Sequence, residues 1–388
     1  MKTVAVFGAG GFVGATVVEH LLARGGFEVR PFIHSTGGAW RLSPLGLELR
    51  RADLTVRESV REALRGCSHV VNATRGEADV MLAGLDHLLD ESRALGIERF
   101  VHLSSVSAWG ERAPGTVLRE EDAPGAVLSG YGRTKLEQDR RVAAASRKGL
   151  PCVCLAPPYI SGAYSPFVLS VVNALRAGTL ALVEGGELPC SLVDVQNLAQ
   201  AIEAALGSEI ADGRRLFVTD GDTRTWRELV ARLAPLAPGA PPPPLLTREE
   251  AQRFTAGPVR RASLAGSLRS LATIALGPEA RRILAADPLL GPAYRSVTEA
   301  VPEGVKRLLR SRRGGAPEAA RSGAPAARFD KHLLGVQLRA VRHASEAARE
   351  ALRFQPALDF DGSIEATLAW YRVTHGFGTP SWEALQAL

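Results

Sequence analysis

The sequence is poor in several features that would assign a protein to a narrow class. Its 388 residues include four irregularly spaced cysteines, which match neither a disulfide framework nor a zinc site. We therefore expect buried thiols in a reducing compartment and no bound metal. No apolar run reaches the roughly 18 residues of a membrane-spanning helix, and the apolar start at 1–7 is too short for a signal peptide. These absences predict a soluble, cytoplasmic protein.

The basic charge of the chain is not spread evenly. Lys and Arg total 47 against 41 Asp and Glu, a formal net charge of +6. Residues 251–345 contain 17 of these basic and 6 of these acidic residues, a net of +11, so the rest of the chain carries −5. Three aromatic residues interrupt this basic stretch and no known binding motif occurs in it, which argues against a nucleic-acid partner.

Three interpretations of this basic stretch stay open. It is a solvated insertion, a lid or part of the substrate lobe, or a peripheral membrane contact made by basic amphipathic helices such as 305–310 and 333–341. The sequence alone does not choose among them.

Short apolar runs alternate with amphipathic segments from the N-terminus to about residue 238. The predicted strands are 2–7, 28–33, 70–73, 100–103, 152–156 and 216–219. The predicted helices are 14–24, 57–65, 79–95, 131–148, 195–206 and 225–234. Strands that alternate with helices in this way predict an α/β fold, a Rossmann-type doubly wound parallel sheet.

The predicted domain boundaries follow this pattern. We expect a dinucleotide-binding domain over 1–160, whose sheet also receives parts of 190–220. A smaller, mostly helical C-terminal substrate lobe is expected over 161–388, with a basic insertion at 245–345 and a closing helix at 361–373. The proline-rich run 238–244 predicts a stiff linker before the insertion.

A glycine-rich loop joins the first predicted strand to the first predicted helix. Gly8, Gly11 and Gly14 lack side chains, so the backbone can turn tightly and approach a pyrophosphate. Phe12 and Val13 then begin the helix, whose first N–H groups are free to bind an anion. The loop therefore predicts a dinucleotide cofactor.

The residues after the second strand bear on which dinucleotide binds. An NAD site usually carries Asp or Glu about 20 residues beyond the glycines, but His34 occupies that place here. Arg41 lies downstream and is positioned to reach a 2′-phosphate. The sequence thus favours NADP, with NAD as the alternative. Asp53, followed by Leu54, is expected either to accept from the adenine amine or to serve as a carboxylate before the next helix.

Three polar residues form a candidate acid/base group. Tyr131 and Lys135 are four residues apart, so they share one face of a helix. An ammonium group beside a phenol lowers the phenol pKa, which predicts that Tyr131 exchanges a proton with a substrate hydroxyl or carbonyl. Ser105 follows a predicted strand, at the sheet edge where ligands bind in open α/β sheets, and its hydroxyl can polarise the same carbonyl.

Together these segments resemble the extended short-chain dehydrogenases/reductases, also called the NAD-dependent epimerase/dehydratase family. The similar segments are 8–14, 104–110, 131–135, 156–162, 192–199, 354–356 and 368–371. The resemblance covers about 1–240 and 345–375, and it departs from the family at Ala156, where an Arg is usual, and at His87, where an Asn with a water-linked proton path is usual. His87 either substitutes as a donor or caps a helix surface.

The resemblance implies roles for specific residues. It implies that Ser105, Tyr131 and Lys135 are catalytic, with Ser104 as an alternative to Ser105. Tyr131 and Lys135 would also contact the cofactor. Further expected cofactor contacts are Ala73 and Pro157, and the expected substrate contacts are Ser105, Tyr159 and Tyr164. A homodimer paired through the helices around 85–95 and 131–147 is also implied.

Three functions remain open at this point. The first is an NADP-dependent oxidoreductase that reduces a ketone or oxidises a secondary alcohol of moderately apolar character. The second is a nucleotide-sugar epimerase with tightly bound NAD, and the third is a non-catalytic dinucleotide-binding sensor or scaffold. Dehydration is disfavoured because Val106 and Ser107, rather than an Asp-Glu pair, follow Ser105.

Overall fold

A parallel sheet is the centre of the structure, a computed structural model that describes residues 1–110, 117–125, 130–221, 224–255 and 329–374. In chain order the strands are β1 (Lys2–Phe7), β2 (Phe27–Ile33), β3 (Arg50–Arg51), β4 (His69–Asn72), β5 (Arg99–Leu103), β6 (Val117–Leu118), β7 (Cys152–Ala156), β8 (Tyr159–Ser161), β9 (Leu182–Val183), β10 (Pro189–Cys190), β11 (Leu192–Asp194), β12 (Asp212–Phe217), β13 (Arg224–Thr225), β14 (Leu245–Leu246) and β15 (Arg342–His343). The helices are α1 (Phe12–Arg24), α2 (Arg57–Leu64), α3 (Ala78–Ala94), α4 (Gly130–Arg147), α5 (Pro166–Arg176), α6 (Val195–Gly207), α7 (Trp226–Leu233), α8 (Arg248–Thr255), α9 (Lys331–Arg339), α10 (Glu346–Leu352) and α11 (Phe360–Thr374).

The central sheet has seven strands in the order β3-β2-β1-β4-β5-β7-β12. All its neighbouring strands are parallel. The chain builds outward from β1 to β3, then crosses back to place β4 on the other side of β1. This reversal leaves a crevice at the carboxyl ends of β1 and β4, where open α/β sheets bind their ligands.

Both faces of the sheet are covered by helices, which explains the near-continuous apolar strands. Val4 and Val6 of β1 belong to a core that includes apolar residues of α1, α6 and α10. The alternate residues Ala5 and Phe7 belong to a second core with α2, α3 and α4. The predicted Rossmann-type doubly wound sheet is confirmed.

A C-terminal lobe that includes α5, α7, α9 and α11 has a core of its own. Trp226 of α7 and Ile364 of α11 are both buried in it, together with apolar residues of α5 and α9. The closing helix predicted at 361–373 is α11, which begins and ends one residue beyond these bounds.

The two ends of the predicted basic insertion are built into this lobe. β14 pairs with β9 in parallel, and α9 buries Leu333, Leu334 and Val336. The Gln337 side chain donates to the carbonyl oxygen of Ala181 at 2.8 Å and accepts from the backbone N–H of Val183 at 2.9 Å. At both of its ends, therefore, the stretch 245–345 is part of the packed lobe rather than a solvated addition. Residues 256–328 lie outside the described part of the chain.

The strand predicted at 216–219 is displaced, since β12 runs from Asp212 to Phe217. Its first half is polar because β12 is the edge strand of the sheet, so the apolar run marks only its second half. Most strands outside the central sheet have two or three residues, too few for a hydrophobic period to reveal them.

All four cysteines are free thiols, three of them buried and Cys67 half-buried. Burial raises the pKa of each thiol, that of Cys152 to about 12, so the neutral form dominates. Among the described residues, no helix is both long and apolar enough to cross a membrane.

Candidate active site

The glycine-rich loop is packed so closely that side chains would not fit. A Cβ on Gly14 would overlap the carbonyl oxygen of Gly8, and a Cβ on Gly8 would lie 2.7 Å from the carbonyl oxygen of Ala73. Gly8 also has a φ of +79°, which favours glycine. Gly11 precedes α1 and makes no side-chain cap, so N–H groups at Phe12 and beyond are free for an anion. This cradle fits the pyrophosphate of a dinucleotide.

Arg41 lies against α1 and is already paired. Its Nε donates to Glu19 Oε1 at 2.7 Å, its Nη2 to the Thr16 hydroxyl at 2.8 Å, and its Nη1 to the carbonyl oxygen of Phe12 at 3.1 Å. Its guanidinium carbon lies 4.1 Å from the centre of the Tyr164 ring, and its side chain is 7% exposed. A 2′-phosphate would therefore have to take the place of Glu19 before Arg41 could bind it.

The other residues predicted at the adenosine end lie at the same edge of the sheet. His34 is exposed at the end of β2, where no carboxylate follows. Asp53 Oδ1 accepts from the Thr55 N–H at 2.9 Å and from the Thr55 hydroxyl at 2.6 Å. These hydrogen bonds hold the pKa of Asp53 below its usual range. Asp53 thus organises the turn before α2. This matches the predicted role of a carboxylate before the next helix.

His87 is held by the backbone of that same turn. Its Nδ1 donates to the carbonyl oxygen of Leu54 at 2.8 Å, which fixes the ring against the loop before α2. Leu54 also fits against Gly84 of α3, where a Cβ would lie 2.8 Å from that of Leu54. The Nδ1 atom of His87 is therefore used in a backbone contact and does not take the place of the Asn in the family's water-linked proton path.

The hydroxyls of the two serines that follow β5 face different residues. Ser104 is buried, with its hydroxyl turned towards Asp139 of α4. Ser105 is half-buried, accepts from the Ser107 N–H at 3.2 Å, and presents its hydroxyl to Tyr131. Pro157 supports this turn, because its carbonyl oxygen accepts from the Val106 N–H at 3.2 Å. This geometry favours Ser105 over Ser104 as the partner of Tyr131.

The pKa of Tyr131 does not follow the expected direction. Tyr131 as a whole is 38% exposed, but the loss of water around its phenol raises the pKa, while Arg75 and the Ser105 hydroxyl act in the opposite sense. Lys135, which was expected to lower it, points instead to the carbonyl oxygen of Leu103, to which its Nζ donates at 2.8 Å. Burial also lowers the pKa of Lys135 to about 8. Because the pKa of Tyr131 is raised above its ordinary value, its phenol is protonated at neutral pH.

Arg75 is a site residue that the sequence motifs did not indicate. Its guanidinium carbon lies 5.3 Å from the centre of the Tyr131 ring. Arg75 comes three residues after β4, at the carboxyl edge of the sheet. That position is the signal by which it could have been found, since ligands bind beyond the carboxyl ends of such strands.

The substrate-lobe residues predicted from the resemblance lie in two aromatic groups. Tyr159 stacks on Phe167 with 4.8 Å between ring centres. Tyr164 has a φ of +65°, an unusual conformation for a residue with a side chain, and its ring lies 4.2 Å from Trp370 and 5.5 Å from Trp40.

The second aromatic group borders a cavity of about 440 Å³ beside the glycine-rich loop. This volume is in the usual range for small-molecule sites. Its lining residues are Gly10, Gly11, Phe12, Trp40, Arg41, Tyr164, Leu169, Trp370, Tyr371 and Thr374. The one cationic side chain among them, Arg41, is neutralised by Glu19.

The family whose model matches residues 4–217 is the NAD dependent epimerase/dehydratase family. The chain belongs to this family. The match covers more than half of the chain, including β1 to β12 and the residues from Gly8 to Lys135. The resemblance inferred from the motifs is confirmed, and the family is one of NAD-dependent enzymes.

The individual proteins that this chain resembles share less than a third of its residues over the aligned regions. A 4-hydroxy-2-methyl-3-oxo-4-farnesyl-3,4-dihydroquinoline-1-oxide ketoreductase from Stigmatella aurantiaca is 27% identical over 228 residues, which are 56% of this chain and 67% of that protein. A UDP-glucose 4-epimerase from Streptomyces lividans is 28% identical over 175 residues, 41% of this chain and 52% of that protein. A dTDP-glucose 4,6-dehydratase from Bacillus anthracis, solved with NAD, shares the fold with a TM-score of 0.65 at 15% identity, over 98% and 99% of the two chains.

Proposed function

We propose that this family member is an NAD(P)-dependent oxidoreductase that interconverts an apolar ketone and its secondary alcohol. The observation that carries the proposal is the meeting of Ser105 and Tyr131 at the carboxyl end of β5, with Lys135 one helical turn further along α4. The dinucleotide loop lies at the same edge of the sheet, after β1.

Each of the three residues has a proposed role. When bound, the nicotinamide supplies or accepts the hydride at the substrate carbon. The Tyr131 hydroxyl donates a proton to the carbonyl oxygen, for which its protonated state at neutral pH is suited. The Ser105 hydroxyl donates a hydrogen bond to that oxygen, and Lys135 binds the nicotinamide ribose and assists Tyr131. The protonated phenol of Tyr131 is the form that donates in the direction of reduction.

An apolar substrate is proposed from the aromatic surface near the glycine-rich loop, in a cavity that none of Ser105, Tyr131 and Lys135 lines. Trp40, Tyr164 and Trp370 supply this aromatic surface, and Arg41 is the one cationic side chain among the lining residues. The name of the Stigmatella aurantiaca relative describes a ketone that carries an isoprenoid chain. A nucleotide-sugar epimerase, the runner-up, would need cationic groups for its diphosphate.

We further propose NADP as the cofactor form. The support is that no carboxylate follows β2, where His34 and Ser35 are exposed. Arg41 is the residue proposed to bind the 2′-phosphate, once it exchanges Glu19 for that group.

The test compares wild-type protein with Tyr131→Phe. With NADPH and methyl octyl ketone, we expect consumption of the reduced nicotinamide by the wild type and none by the variant, while NADP binding stays the same. Acetone serves as the matched short ketone and should react more slowly. Full activity of Tyr131→Phe would exclude the proposed acid, and purification of the protein with bound NAD would favour the epimerase.

A further inference from the structure

Asp139 is a buried carboxylate one helical turn beyond Lys135. The two residues are four apart on α4, so they share the face that packs on the sheet, and each is 3% exposed. The Ser104 hydroxyl is turned towards Asp139 and favours its charged form, although by strict geometry the described residues give neither Asp139 oxygen a hydrogen bond. A buried carboxylate that is so weakly hydrogen-bonded is costly and requires compensating charge.

Two cations supply that charge from different elements. Arg215 Nη1 of the edge strand β12 lies 3.8 Å from Asp139 Oδ2. The Arg215 guanidinium is itself held 4.0 Å from the centre of the Trp109 ring. Lys135 faces Asp139 from the same helix, and its charge stabilises the carboxylate form.

The other titratable groups that face Lys135 cannot replace Asp139. They are Cys154 of β7, His102 of β5 and Arg75 after β4. Burial raises the pKa of Cys154 well above its usual value and lowers that of His102 well below, so both are neutral near pH 7. Arg75 repels the ammonium group. Among the described groups around Lys135, Asp139 is therefore the one that supplies a negative charge.

We propose that Asp139 is a positioning residue: buried one helical turn from Lys135 on α4, it keeps the Lys135 ammonium group charged where that group binds the Leu103 carbonyl oxygen, and Arg215, 3.8 Å away, balances the charge of Asp139. Burial pulls Lys135 towards the neutral amine, and Asp139 opposes this. The role of Asp139 rests on the proposed role of Lys135 in the reaction. Asp139 acts through Lys135 and contacts no substrate atom.

The composition of the chain makes a direct measurement possible. It has five lysines: Lys2, Lys135, Lys148, Lys306 and Lys331. Lysine labelled with ¹³C at Cε therefore gives five NMR signals, and Lys135→Met identifies the signal of Lys135 by its loss. Titration of this signal yields the pKa of Lys135 without any substrate or cofactor.

The decisive comparison is Asp139→Asn against Glu137→Gln. Both remove one negative charge from α4, but Glu137 is 40% exposed and pairs with Arg140 and Arg141. We expect the Lys135 midpoint to fall by about one unit or more in Asp139→Asn and to stay at the wild-type value in Glu137→Gln. An unchanged midpoint in folded Asp139→Asn would overturn the proposal.

A second measurement covers the case in which Asp139→Asn does not fold. In the wild-type protein, ionisation of Asp139 should displace the Lys135 signal in a separate step below neutral pH, since burial raises the pKa of Asp139 to about 6. Absence of this step would equally contradict the coupling. These titrations need no turnover, so they are independent of the Tyr131→Phe test of the proposed function.

A kinetic readout separates positioning from simple structural support. In the ketone assay, kcat is measured as a function of pH, and the part of this profile that follows the ionisation of Lys135 is compared between variants. In Asp139→Asn this part should move to lower pH by the same amount as the Lys135 midpoint in the NMR titration. Asp139→Glu, which keeps the charge, should restore this part towards the wild-type position. A uniform loss of rate at every pH would indicate a structural role instead.

Discussion

The glycine-rich loop and the aromatic cavity beside it are built in different ways, the first from backbone and the second from side chains. The dinucleotide cradle is backbone from one continuous segment, 8–14, where close approach excludes side chains. The aromatic cavity is made of side chains from distant segments, with Trp40, Tyr164 and Trp370 in contact. A backbone site restricts residue type at neighbouring positions and so marks the sequence, whereas a site made by convergence of distant side chains leaves no local pattern.

The largest effect is expected when the backbone cradle is broken. In Gly14→Ala the added Cβ would overlap the Gly8 carbonyl oxygen, so the loop must open. We expect the affinity for both NAD and NADP to fall by about 100-fold, the loss that a displacement of about 1 Å can cause in a well-fitted site. Fluorescence titration measures it. Gly207→Ala, whose Cβ meets open space in α6, is the control. Similar affinities in the two variants would show that the tight turn is unnecessary.

Removal of a buried side-chain hydrogen bond in the C-terminal lobe should lower the stability of the fold instead. Gln337→Leu leaves the N–H of Val183 and the carbonyl of Ala181 without their side-chain partner in a buried place. At about 2 kcal/mol for each group, we expect the free energy of unfolding to fall by about 4 kcal/mol. Chemical denaturation measures this loss.

The control for that prediction lies on the same helix. His332 of α9 is exposed, so His332→Ala should change the free energy of unfolding by no more than about 0.5 kcal/mol. Equal effects of the two substitutions would mean that α9 is not anchored through Gln337.

A pH-dependent loss is expected where the lobe meets the sheet. His343 of β15 is half-buried beside Phe217 of β12, and the loss of water around its ring lowers its pKa to about 4. The folded protein keeps this ring neutral while the unfolded chain takes up a proton, so stability present above pH 6.5 is lost as the pH falls towards 4. This shift corresponds to about 3 kcal/mol.

The comparison is between the wild type and His343→Leu. Unfolding free energies measured from neutral pH down to about pH 4 should fall less steeply in the variant, since it lacks the proton uptake. Parallel pH profiles of the two proteins would show that His343 is not held neutral.

The smallest effect is expected at the contact between the two sites. Glu19→Gln releases Arg41, so the affinity for NADP relative to NAD should rise by about tenfold, the equivalent of roughly 1.4 kcal/mol for one charge-assisted hydrogen bond. The double substitution Glu19→Gln with Arg41→Gln should abolish this gain. An unaltered ratio in Glu19→Gln would argue against Arg41 as the group that binds the 2′-phosphate.

Sequence reasoning succeeded where local patterns carry the structure. The helices at 57–65 and 131–148 and the strand at 152–156 were predicted to within a residue, because both faces of the sheet are buried and the apolar periods are strong. It did not anticipate Arg75 near Tyr131 or the packed ends of the basic stretch, because these depend on which segments meet in space.

The sequence by itself determined the parallel α/β architecture, the dinucleotide loop and the family, since each rests on neighbouring residues whose spacing is read directly. Only the tertiary structure decided that Arg41 is bound by Glu19, that Ser105 rather than Ser104 faces Tyr131, and that Asp139 and Lys135 are both buried on α4. The physical reason is that charge pairing and burial depend on distances between segments far apart in the chain. The pKa of Tyr131 and the state of Lys135 are set by those distances rather than by the motif that contains them.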